Sequence, residues 1–268
     1  MNRLLIFDLK GSIAHFRKFY TSSSSLSYSF PPRTTIIGLI ASILGREKDS
    51  YYEEFNIENC KVTLSIRQPI RKIMQTVNYI RTKEEDGFSS ARGVINSFIK
   101  RQINKYPTVI ELIIPLRLTG EIIYRIYFHH QNDSLMNDLC LLLKNKKTVF
   151  PLFLGLSEFL AHAKLVADVS SHNIKEYRVE QTVEVVSVCN FKNIASLEFN
   201  TSDPDEMFQY IEEKMPLEFS AGREIKSTAS FIHEKNQKPI RARLNIPSIE
   251  VTYSDEKETI NEKIIFME

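Results

Sequence analysis

At 268 residues, with 43% hydrophobic and 25% charged side chains, the chain has the composition of an ordinary globular protein and not of a disordered or fibrous one. Its formal net charge of +2 makes no case for wholesale attraction to nucleic acid or to a membrane surface. Cys60, Cys140 and Cys189 are widely separated and fall in no metal-ligand spacing, which points to a reducing compartment and to small buried side chains, and away from a zinc site. No charged-then-apolar leader is visible and no apolar run approaches the ~20 residues that span a bilayer, so a cytoplasmic protein without a membrane partner is expected.

Residues 3–9 (RLLIFDL) are apolar almost throughout and predict a central strand. A long loop over 10–32 follows, rich in basic, aromatic and hydroxyl side chains, and a loop of that length is more often functional than decorative. Pro32 suits a first helical turn, Thr34 and Thr35 can help to cap it, and Ile36, Ile37, Leu39, Ile40, Ile43 and Leu44 give a helix ending near Gly45. Gly38 inside that helix marks either a close approach of backbone or ligand, or plain tolerance of its ~1 kcal/mol propensity cost. Residues 60–69 alternate apolar and polar, the period of a half-buried strand. Residues 109–118 and 122–129 read as strands joined in a hairpin at Thr119-Gly120-Glu121, and 134–144 as a helix capped by Asp133, with 165–169 a further strand. Residues 157–161 suggest a helix start capped by Ser157. Later, 184–188, 196–199, 242–246, 249–253 and 263–267 read as strands, and 204–214 as a short helix capped by Asp203. This order fits an α+β, ferredoxin-like (RRM-like) domain over 1–170 with an inserted basic β-hairpin arm at about 67–106, and a smaller β-rich region over 171–268.

Charge is unevenly spread. Residues 67–105 hold nine bases against three acids, whereas 198–268 hold fifteen acids against nine bases. An anionic partner for the first segment and two solvated faces of opposite sign are both consistent with that asymmetry. Arg71, Lys72, Arg81, Arg92, Lys100 and Arg101 are interleaved with Tyr79, Phe88, Phe98 and Tyr106, a pattern that suits an unpaired strand with splayed, stacked bases.

Enzymatic signatures are missing: there is no phosphate loop, no dinucleotide fingerprint and no His-Glu-x-x-His, and Gly155-Leu-Ser157-Glu lacks the second glycine of a nucleophile elbow. Metal-free RNA cleavage needs a base to activate a 2′-hydroxyl and an acid or cation at the leaving oxygen. His15, Lys18 and Tyr20 form one such set and the His129-His130 pair offers another, although adjacent strand residues face opposite ways. His15 as a simple hydrogen-bonding ligand is the blander alternative.

The strand followed by Gly11-x-x-Ala14-x-Phe16-Arg17, a Ser-rich loop, Tyr28, Phe30-Pro-Pro-Arg33-Thr-Thr-x-x-Gly38-Leu-Ile-Ala41, Gly45 and then Tyr51 resembles the fifth CRISPR-associated (Cas) family, RAMP-type subunits of the type I Cascade surveillance complex. The block Pro151-Leu-Phe-Leu-Gly155-Leu-Ser-Glu158-Phe-Leu-Ala161 is similar to the family's second block; beyond residue 170 the likeness is loose, around Met215-Pro216-Leu217 and Arg223. The resemblance implies a ferredoxin-like core with a thumb-like hairpin, and binding of the 5′ handle of a CRISPR RNA (crRNA). It also implies capping of a filament of backbone subunits beside a large subunit, with target DNA nearby, and no cofactor. The look of the chain points to a type I-B or related system. Arg17, Lys18 and Arg33 are expected to hold handle phosphates, His15 to bond a bound nucleotide, Tyr20 or Tyr28 to stack a base, and Thr34 and Thr35 to meet phosphate at the helix start, with Gly38 closing the stretch that cradles the handle. Arg71, Lys72, Arg92, Lys100 and Arg101 are expected to hold the arm on RNA or a neighbouring subunit. One branch of the family cuts precursor crRNA with tyrosine, lysine and histidine. That set has no convincing match here, so a non-catalytic antiviral-defence subunit is expected, with a metal-independent endoribonuclease using His15, Lys18, Tyr20 or His130 as the runner-up.

Overall fold

Strand β1 (Arg3–Gly11) is buried on both faces because it has a layer on each side: Leu5, Phe7 and Leu9 enter the main core, Leu4 and Ile6 a second one. The structure, a computed structural model, describes residues 1–21, 25–80, 105–117, 119–178, 181–200, 207–256 and 258–268. After β1 come two short strands that pair with each other, β2 (Phe16–Arg17) and β3 (Ser27–Tyr28), and then helix α1 (Arg33–Leu44). Pro32 sits at the N-cap with φ −54°, and its carbonyl accepts the N–H groups of Thr35 and Ile36. No side chain caps this end, so the capping expected of Thr34 and Thr35 does not occur. Gly45, left-handed at φ 75°, closes the helix by donating to Ser42, with Arg46 N–H reaching Ala41.

The chain continues through β4 (Cys60–Ile66), β5 (Ile70–Ile80), β6 (Lys105–Pro115), β7 (Ile122–His130), helix α2 (Asp133–Lys144), β8 (Leu152–Phe153) and β9 (Leu160–Ser170). The remainder is β10 (Ile174–Tyr177), β11 (Val183–Val185), β12 (Cys189–Asn190), β13 (Ile194–Leu197), β14 (Tyr210–Phe219), β15 (Ile225–Glu234), β16 (Ile240–Leu244), β17 (Ser248–Asp255) and β18 (Glu258–Ile264). The protein is thus mostly β, with two α-helices among the described residues. Neither is long and apolar enough to cross a membrane.

The principal sheet is antiparallel, in the order β4-β7-β1-β9-β8. The helices α1 and α2 cover one face through Ile36, Ile40, Leu135 and Leu139, and the sheet β10-β17-β18 covers the other through Val251, Tyr253 and Ile264. The largest core cluster also takes Val188, Met215, Leu217, Phe231 and Met267 from beyond residue 170. All three cysteines are free and buried, and burial pushes the Cys60 and Cys189 thiols up to about 12.

Several local expectations fail. β4 is not half-buried: Thr63 and Ser65 are as covered as Val62 and Leu64. β6 and β7 do not form a hairpin. β6 pairs with β5 over eleven positions, Ile70↔Pro115 to Ile80↔Lys105, and β7 enters the principal sheet between β4 and β1. Asn132, not Asp133, caps α2 by accepting from the N–H groups of Ser134 and Leu135. Ser157 lies in a turn and bonds Glu158, starting no helix. Residues 210–214, expected in a helix, belong to β14, held by its ladder with β15; Asp203 lies outside the described residues.

Candidate nucleic-acid interface

The loop between β1 and α1 is fastened from beneath. His15 is buried; its Nδ1–H donates to the Glu111 carbonyl (2.7 Å) and its Nε2 accepts from the Ser25 hydroxyl (3.0 Å). A carbonyl can only accept, so Nδ1 carries the hydrogen. The His15 N–H bonds the Leu154 carbonyl (2.9 Å), and a Cβ on Gly155 would lie 1.8 Å from the His15 carbonyl oxygen. Gly155, at φ 100°, is therefore held to glycine twice over, by conformation and by space. Through this contact the two sequence blocks, about 140 positions apart, become neighbours.

Above that floor opens a cleft of about 870 Å³. His15, Arg17, Thr34, Thr35 and Gly38, singled out from the sequence, all line it. A Cβ at Gly38 would stand 3.0 Å from the Tyr51 hydroxyl oxygen, so this glycine serves a close approach. Phe153 and Gly155 come from the second block, Phe219 from the end of β14 and Arg223 from the turn that follows it. Arg223 is exposed and held at φ 66° in a turn closed by Ser220 N–H to Glu224 O (2.9 Å).

The aromatic content is continuous. Tyr51 and Tyr52 lie 4.9 Å apart by ring centroid, and Tyr52 meets Phe219 edge-on at 5.8 Å. Phe19 and Tyr20, 42% and 54% exposed, form a T-shaped pair at 5.2 Å beside the mouth. Among the lining residues the cations are Arg17, Lys48 and Arg223, and the acid is Asp49, which accepts from the Tyr52 hydroxyl. Burial raises the Tyr51 and Tyr52 hydroxyls above the usual phenol range, with Arg223 pulling the other way, so both stay protonated donors. The α1 N-terminus, with no side-chain cap, also faces this space through Pro32, Thr34 and Thr35.

Other expected site residues are turned inward or lie elsewhere. Tyr28 borders the cleft, but its side chain is sealed at 0% exposure and donates to the Lys214 carbonyl (2.8 Å). Arg33 is 2% exposed: its Nε pairs with Glu268 at 2.7 Å, and Nη2 donates to the carbonyls of Phe55 and Cys60. It is a buried strut and reaches no phosphate. Lys18 and Lys72 both pair with Glu213, at 3.3 and 3.2 Å, and Lys72 also donates to the Ser27 carbonyl (2.7 Å). Burial works to lower the Lys18 ammonium, but the Glu213 carboxylate outweighs it and the net direction is up. His130 is buried too; its Nδ1 accepts from Asn132 N–H and its Nε2–H donates to the Glu54 carbonyl. Of the His15–Lys18–Tyr20 set, Lys18 stands 6.0 Å from the Tyr20 ring centroid while pairing with Glu213, and His15 is engaged instead by the Glu111 carbonyl and Ser25. Arg71 is exposed on β5; Arg92, Lys100 and Arg101 lie outside the described residues. No group of His, Cys, Asp or Glu among the described residues is placed to hold a metal ion.

Lys48, Asp49, Tyr52, Phe219 and Arg223 escaped attention as site residues. The Ser-Ala-Gly-Arg turn at 220–223 was the available signal, yet only the fold reveals that it faces the loop of the first block.

Residues 4–106 match the model of the family described as CRISPR-associated protein (Cas_Cas5). Among solved structures, a CRISPR protein from Archaeoglobus fulgidus is 12% identical at TM-score 0.48, covering 97% of this chain and 99% of that chain. A chain of a CRISPR RNA-guided surveillance complex is 12% identical at TM-score 0.45, covering 89% and 91%. A chain of a Type III-B Cmr-beta complex bound to cognate target RNA and AMPPnP is 14% identical at TM-score 0.40, covering 90% and 86%. A comparison with curated proteins gives no match.

Proposed function

We propose that this chain is the crRNA-binding subunit of a Cascade-type complex, holding the unpaired 5′ handle in the 870 Å³ cleft and capping the filament of backbone subunits beside the large subunit. The observation that carries the reading is the meeting, in one cleft, of three cations, an uncapped helix start and a run of aromatic faces. Cations and helix N–H groups suit phosphates, and exposed rings suit splayed bases at roughly 1–3 kcal/mol per stack. Arg17 and Arg223 take phosphate on opposite rims, and Phe19 and Tyr20 stack an entering base. The strand order β4-β7-β1-β9, with both helices on one face, supports a ferredoxin-like core, and the β5–β6 ribbon supports a protruding arm.

The handle is held and not cut. Both His15 nitrogens are engaged and Lys18 is bound to a carboxylate, which supports a binding role over general acid–base chemistry. Labelled repeat RNA incubated with purified protein and chelator tests this: intact RNA agrees, whereas cleavage lost in a His15→Ala variant overturns it. Binding of labelled handle RNA, weakened by Arg17→Glu and Arg223→Glu, tests the interface itself.

A further inference from the structure

Strand β9 is paired along one edge by β1, from Arg3↔Ser170 to Gly11↔Ala161, but on its other edge β8 reaches only Leu160 and Ala161. From 162 to 170, among the described residues, no strand adjoins that second edge and no loop backbone bonds to it. Alternate N–H and C=O groups of this stretch thus face outward, and such an edge is a template for another chain.

Against the start of the open edge lies a groove of about 250 Å³, with residues 161–164 on one wall and 146–148 on the other. Lys146, Lys147, His162 and Lys164 line it, and no acid does. Glu256 lies 3.4 Å from Lys164, but those side chains are 80% and 46% exposed and such a pair contributes little. Lys144, in the last turn of α2, and Lys146 just beyond it complement that helix's terminal carbonyls. Lys147 and Lys164 carry charge in excess of that need. A lone lysine on an edge strand deters pairing; cationic side chains on both walls of a groove exceed that role. Val149 and Phe150, directly after the second wall, and Leu160, directly before the first, are 57%, 41% and 68% exposed.

We propose that the open edge of β9 is a strand-addition site for an extended, acidic segment of a partner protein, its backbone continuing the principal sheet and its carboxylates meeting Lys147 and Lys164. A polynucleotide would use the cations, but it has no use for the strand edge and finds no aromatic pair here on which to stack.

The test uses the full chain and a labelled eight-residue peptide of alternating Asp and Val, with a second peptide of equal charge carrying proline at every other position. The alternating peptide is expected to bind, to slow amide exchange over 162–170, and to exceed the proline peptide by about tenfold or more in affinity. Lys147→Glu combined with Lys164→Glu, both on the surface, should abolish that difference and leave handle RNA binding unchanged. Equal binding of the two peptides, no slowing of exchange, no binding at all, or displacement by oligouridylate without any exchange effect would each overturn the proposal.

Discussion

Lys72 lies 3.2 Å from a Glu213 carboxylate that is 2% exposed, and Lys18 reaches the same oxygen at 3.3 Å. The second Glu213 oxygen accepts from Ser29 N–H (2.8 Å). One carboxylate on β14 therefore ties together the loop before α1, the β5–β6 ribbon and the C-terminal half, directly under the cleft. Removing it takes the carboxylate from Lys18 and leaves Lys72 with the Ser27 carbonyl and a longer 3.8 Å approach to Glu111. Glu213→Gln is expected to cost about 3 kcal/mol, the low end for a broken buried ion pair because the lysines retain some water. Urea unfolding measures it; a loss under ~0.5 kcal/mol would remove the clamp from the account.

Arg33 and Arg17 look alike in the sequence and should part in the laboratory. Arg33→Met leaves the Glu268 carboxyl, which burial already raises above its usual range, without the guanidinium that pulls it back. A loss of about 3 kcal/mol in stability is expected, with handle affinity per folded molecule unchanged. Arg17→Met should do the reverse. Thermal unfolding paired with RNA titration of the same preparations separates the two.

Salt dependence should count the phosphate contacts. Replacing Arg17 or Arg223 by glutamate is expected to weaken handle binding across sequences and to lower the salt slope by about 1 each. Lys72→Glu should alter stability more than slope, since its ammonium already has protein partners. Fluorescence anisotropy across a salt series reads all three.

Stability should fall on mild acidification. Burial holds the imidazoles of His233 and His129 below their ordinary 6.5. Above that value both states are neutral and nothing changes. Below it the unfolded chain takes protons that the native state refuses, at up to ~1.4 kcal/mol per pH unit per group. The lowered carboxyls of Glu54 and Asp168 stay clear of this window, since their contribution fades only as pH approaches 4.5 and 3.8 and falls below. His233→Phe, packed on Phe30, is expected to remove part of the slope measured between about pH 7.5 and about pH 5.5. An unchanged slope would show that His233 is not its source.

Legibility followed the range of the interactions involved. β1, α1, α2 and the second half of β9 announced themselves because apolar content and period are local properties, whereas residues 160–161 of β9 read as part of a helix start. The cleft was half visible: His15, Arg17, Thr34, Thr35 and Gly38 share one loop and one helix start, and that continuity is readable. Arg33 misled because a guanidinium after Pro-Pro is the same residue whether it meets a phosphate or a glutamate 235 positions on. Lys18 and Lys72 misled for the same reason, their carboxylate lying on β14. The 119–121 turn suggested a hairpin from proximity alone, yet β6 and β7 each found a better partner in β5 and β1. Residues 210–214 read as the end of a short helix capped by Asp203, and the ladder with β15 prevailed over that local reading.

The most direct test is photocrosslinking of the native complex, with 4-thiouridine placed in the handle and adducts mapped by mass spectrometry. Adducts should concentrate on peptides containing residues 15–20, 48–52 and 216–223, and vanish there in an Arg17→Glu, Arg223→Glu double variant. Adducts confined to other surfaces, with those three peptides linked only to protein, would contradict it.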